Sequence, residues 1–145
     1  MNMTLKTHAA ASITREAALL LSEAAREAAA NLGIEVAIAV SDAAGHLKAF
    51  ERADRAPFLT TEVAIDKAWT AASFGVGTHV WNQILDNSQV AQLAHRPRLV
   101  AVGGGYPILL DGAVVGGIGV SGGNALQDQQ VCETALSAAG FALAR

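Results

Sequence analysis

The spacing of hydrophobic positions changes along the chain, and each change marks an element. Leu21, Ala25, Ala28 and Leu32 recur at helical intervals behind two candidate caps, Ser12 and Thr14, and Gly33 supplies a stop. Over residues 35–41 the period falls to two: Val36, Ile38 and Val40 alternate with Ala37 and Ala39, which predicts a strand. Asp42, Ala43, Ala44 and Gly45 carry turn chemistry, and a returning strand follows over residues 47–50. A polar connection ending at Pro57 leads to a helix from Thr60 or Thr61 to about Phe74. Ala64, Ala68, Ala71 and Ala72 give that helix a slim side. Val80 with Ile84, and Trp81 with Leu85, predict a short helix capped by Thr78; Ser88 is the candidate cap of another that ends near Arg96 and Pro97.

Residues 99–102 read as a third strand, and residues 103–123, GGGYPILLDGAVVGGIGVSGG, as two more joined at Asp111-Gly112. Asp-Gly between apolar runs suits a type I′ hairpin turn, where both central residues need positive φ. In the second strand of that hairpin Val114, Gly116, Ile118 and Val120 share one face, and Val115, Gly117, Gly119 and Ser121 the other. The second face is nearly bare. Glycine inside a strand packs nothing, so a helix, a subunit or a ligand is expected to approach the backbone there, with a helix favoured. Asn124 and Gln127 have capping-box spacing ahead of a last helix marked by Val131, Ala135, Ala138 and Ala142. The order argues an α+β fold, a five-stranded antiparallel sheet with flanking helices. With 145 residues it is read as a single domain over 13–145, preceded by an N-terminal extension over 1–12.

Composition narrows the partners. Hydrophobic residues make up 52% and charged ones 16%, more apolar surface than a monomer of this size readily hides, so a homo-oligomer is expected. A net charge of −3 with scattered Lys and Arg argues against nucleic acid. No apolar run reaches membrane-spanning length and no signal-type segment is evident, so no membrane partner and a cytoplasmic location are expected. The single cysteine, Cys132, excludes an internal disulfide, and no Cys or His cluster has metal-ligand spacing.

Three blocks in order, VAIAVSDAAGHLKAFERADRA, EVAIDKAWTAASFG and GGGYPILLDGAVVGGIGVSGGNALQD, resemble the GlcG/HbpS-like family, also called the haem-degrading domain family and related to the C-terminal domain of PduO-type proteins. The resemblance runs from the first helix to the last. It implies a profilin-like layer of sheet and helices, assembly into oligomers, association with catabolic operons such as glycolate or diol utilisation, and haem or corrinoid binding in several members. One departure stands out: some haem-binding members have a histidine on the first helix near the place of Leu20. The histidines here are His8, His46, His79 and His95, none in a CxxCH or paired-histidine motif.

Candidate chemistry centres on Lys67, whose helical neighbours Val63, Thr70 and Phe74 give it a partly apolar setting. An ammonium there needs an anionic partner: a ligand carboxylate, or Asp54 or Glu62 in a structural pair. Asp128 on the last helix, or His79, is the candidate proton carrier beside it. Ligand-binding candidates are Glu62, Thr70, Gly119, Ser121 and Gly122; the start of the last helix can attract an anion, although Asn124 can satisfy its donors instead. Ser121 lacks the surroundings of a nucleophile elbow. Three functions stay open. The first is a small-molecule-binding accessory protein of a catabolic pathway, with an anionic ligand or haem. The second is a cofactor-independent lyase or isomerase on a small hydroxy- or oxo-carboxylate. The third is a structural oligomeric module.

Overall fold

Strand β1 (Ala37–Asp42) is buried along nearly all of its length, with partners on both edges, so small and branched apolar residues fill it. The computed structural model describes residues 4–144. In it β1 pairs antiparallel with β2 (Leu47–Arg52). Strand β3 (Gly105–Leu110) pairs with β4 (Ala113–Ser121), and β4 closes against β1, giving the order β2-β1-β4-β3. The β3–β4 turn has φ of 51° at Asp111 and 78° at Gly112, as a type I′ hairpin requires.

The helices start and stop largely where their caps dictate. Helix α1 (Arg15–Leu32) is capped by Thr14, whose Oγ1 accepts from the Ala17 N–H at 3.1 Å, and stops at Gly33 with φ of 70°. Ser12, the other candidate cap, accepts from the Ala43 N–H and ties the preceding segment to the β1–β2 turn. Helix α2 (Leu59–Phe74) has no side-chain cap, because Phe58 stands at its N-cap; Thr60 lies inside the helix and its hydroxyl donates to the Pro57 carbonyl. Helix α3 (Thr78–Ile84) follows Gly77, and Thr78 is its first residue, not its cap. A 3₁₀ turn over Ala91–His95 replaces the helix expected behind Ser88. Helix α4 (Ala125–Ala138) carries the full capping box of Asn124 and Gln127.

The sheet has four strands, not the five expected. Residues 99–102 pair with no strand because side chains of α2 and α3 take their backbone groups. The Thr70 hydroxyl accepts from the Val100 N–H (3.1 Å) and donates to the Arg98 carbonyl (3.0 Å). Asn82 and Thr78 donate to the carbonyls of Ala101 and Val102. Arg98, with φ of 72°, turns the chain away from an extended path.

The two faces of the sheet are covered differently. Helices α1 and α4 pack Leu21, Ala25, Val131 and Leu136 on Ile38, Val40, Ile118 and Val120. Helix α2 lies on the other face, where Ala64 and Ala68 meet Ala37 and Ala39. Gly117 and Gly119 fall beneath α2, as their pattern suggests: a Cβ on Gly119 would overlap the Ala64 carbonyl oxygen, and one on Gly117 that of Ala68. The alternation inferred for β4 fails in its first half. The register shifts opposite Ile108 and Leu109, so Val115 joins the α1/α4 core with Ile118 and Val120.

Candidate functional site

The slim side of α2 lets the helix sit directly on the glycine strand, and Lys67, beside Ala68, extends along it to the end of β4. Its Nζ donates to the Val120 carbonyl at 2.9 Å and lies 3.3 Å from Asp128 Oδ2 on the first turn of α4. Asp128 Oδ1 accepts in turn from the Gly123 N–H at 2.9 Å. The two side chains are 2% and 3% exposed, so the pair is sealed inside the protein. Burial pushes the Asp128 carboxyl up from its ordinary value, opposed by the Lys67 ammonium and by backbone N–H groups of Gly123 and Gly122.

Two features close the pair off. Gly104 has φ of 120°, and a Cβ there would stand 2.7 Å from Lys67 Nζ, so only glycine lets the loop after residue 102 pass over the ammonium. Cys132 Sγ donates to the Gly104 carbonyl from below, and burial pushes its thiol up, which leaves it inert as a nucleophile. Asp128 therefore stands where a ligand carboxylate is one of the partners expected for Lys67. Asp54 and Glu62, the other suggested partners, are exposed.

The remaining sequence candidates are used by the fold. Both hydrogen-bonding capacities of the buried Thr70 hydroxyl go to residues 98 and 100. Ser121 ends β4 opposite Ala37. Gly122, with φ of 146°, presses against the Glu35 carbonyl, where a side chain would overlap it. Donors at the start of α4 are answered by Asn124, Gln127 and Asp128 from the same segment, so they offer an anion little.

His79 stands apart from the pair. It lines a cleft of about 230 Å³ with Asn82, Gly103, Leu126 and Gln129. Its ring lies 5.2 Å from that of Tyr106, and its Nδ1 is buried without a partner. Next to it is a feature that the sequence did not mark: the Tyr106 hydroxyl donates to Glu133 Oε2 at 2.5 Å, and burial together with Glu133 raises the phenol well above its ordinary value. No spacing rule places a β3 residue opposite an α4 residue, so only the alternation of β3 could have flagged Tyr106 as inward. Among the described residues, no three His, Cys, Asp or Glu side chains gather as a metal site.

A third surface is apolar. Ala17, Leu20 and Ala24 of α1 face Ala138, Ala139 and Phe141 across a groove of about 370 Å³. Leu20, in this groove, is 58% exposed.

A model of the family described as "Haem degrading protein HbpS-like" matches residues 13–137. The chain belongs to this HbpS-like family. Among its relatives is an uncharacterized 15.0 kDa protein of the dhaT-dhaS intergenic region of Citrobacter freundii, 35% identical over 90% of this chain and 94% of the relative. Two solved structures also resemble this HbpS-like chain. A PduOC:haem complex matches at 29% identity with a TM-score of 0.83, over 92% of this chain and 99% of that one. A double mutant of Streptomyces reticuli HbpS matches at 30% identity with a TM-score of 0.87, over 97% and 95%. The α+β architecture and the family expected from the sequence therefore hold, with one strand fewer.

Proposed function

We propose that the protein is a small-molecule-binding accessory protein of a catabolic pathway, and that a flat apolar ligand of the haem class seats on the groove between α1 and the end of α4. The observation that carries this reading is the groove itself: small and aromatic residues flank Leu20, which stays exposed in it. A soluble chain gains by covering such a surface. The haem complex of the PduOC relative supports the ligand class. The lining fits the apolar body of a porphyrin but offers its iron no ligand, because Ala17, Leu20, Ala24, Ala138, Ala139 and Phe141 carry no nitrogen or sulfur in their side chains. Self-association belongs to the same proposal, since Phe58 and Leu59 at the start of α2 also lie open.

The acid–base reading gains less support. Lys67 and Asp128 line neither of the two clefts above and satisfy each other, so a carboxylate substrate has no opening to them.

The test is a parallel absorption titration with haemin and metal-free protoporphyrin IX, with native mass spectrometry for stoichiometry. Both are expected to bind with similar affinity, and Leu20→Glu to abolish binding of both. The reading is overturned if neither gives a saturable change, or if haemin binds more than about tenfold tighter, which would require an iron ligand.

A further inference from the structure

An aromatic pocket on the far side of α2 belongs to neither the sealed pair nor the groove. It has a volume of about 360 Å³, within the range of roughly 300–1,000 Å³ found for small-ligand sites. Trp69 and Phe74 of α2, Trp81 of α3, and Leu93, Arg96 and Leu99 of the following segment line it. Both tryptophans of the chain thus meet here, in a protein with only 5% aromatic residues.

Three observations point to what the pocket takes. Trp81 is 4% exposed, and its Nε1 is buried without a hydrogen-bond partner. A buried indole at the wall gives the pocket an apolar ring and an N–H resonance that reports on its occupancy. The walls are ring faces and edges, with Phe74 and Trp81 in a T-shaped contact at 5.5 Å and Phe74 still 75% exposed. The two arginines of this segment differ. Arg98 is bound to Asp66 at 2.9 Å and stacks over Trp69 at 4.4 Å, whereas Arg96 is exposed and has no acidic partner within ion-pair distance among the described residues. A free guanidinium beside an aromatic cavity suits an anion with a flat apolar body.

We propose that this pocket binds a small aromatic carboxylate, with the ring against Trp69, Phe74 and Trp81 and the negative charge met by Arg96. The site is independent of the porphyrin reading, because the two surfaces share no residue.

The experiment is a titration with benzoate followed by the two indole N–H resonances of ¹⁵N-labelled protein, assigned with Trp69→Phe. Benzylamine, with a similar body and the opposite charge, is the comparison. Benzoate is expected to shift the Trp81 resonance and to saturate, benzylamine to do neither, and the exposed Arg96→Gln change to weaken benzoate about tenfold while leaving the spectrum folded. Unmoved indole resonances at high benzoate, equal binding of benzylamine, or unchanged affinity in Arg96→Gln would each overturn the proposal.

Discussion

On the α1/α4 face of the sheet, Ile38, Val40, Ile118 and Val120 carry the contact with branched side chains, whereas on the α2 face Gly117 and Gly119 bring strand backbone against helix backbone. The first face is an ordinary interlocking core, in which each methyl group fills space. The second has no side chains to fill it, so α2 settles close enough for Lys67 to lie along the sheet and bond Val120 and Asp128. A polar residue can be held there only because its partners are fixed. The glycine-rich stretch of β4 is a cradle for α2, the helix that its bare face favours over a ligand.

The largest effect is expected from separating the buried pair. Asp128→Ala leaves the Lys67 ammonium facing only a carbonyl, and should lower the unfolding free energy by about 3–5 kcal/mol in urea denaturation. A loss under about 1 kcal/mol would mean that the pair is wet and open. The glycine contact comes next: Gly119→Ala inserts a methyl group into the Ala64 carbonyl and should cost about 1–3 kcal/mol or more, from one added carbon. Ile118→Val, which removes one carbon from the opposite face, should cost only about 0.5–1.5 kcal/mol. If that order were reversed, the contrast between the faces would be wrong.

Much of the scaffold was legible. Asp111-Gly112 fixes a turn that needs two positive φ angles, the pairing of Asn124 with Gln127 fixes the start of α4, and Gly117 and Gly119 announce a close approach. What failed depended on partners distant in sequence. Residues 99–102 have strand-like composition, yet Thr70, Thr78 and Asn82 claim their backbone groups first. The bulge that moves Val115 into the core is visible only in the pairing with β3, which skips Val115 between Val114 and Gly116. Lys67 was legible as a lysine in need of an anion, but the geometry that chooses Asp128 over Glu62 comes from how α4 meets the end of β4. The pocket of Trp69 and Trp81 went unread because the turn through Gly75 and Gly77 decides whether the two rings converge.

The most direct test of the account replaces both members of the sealed pair, Lys67→Met with Asp128→Leu, and measures urea stability together with haemin affinity. A structural pair predicts a folded protein at least as stable as the starting one, since an apolar replacement of a buried pair is often neutral or stabilising by about 1–4 kcal/mol. Haemin affinity should stay within about twofold, because the groove at Leu20 shares no residue with the pair. A folded double variant that loses haemin by more than about tenfold would contradict the account and return Lys67 and Asp128 to the working site.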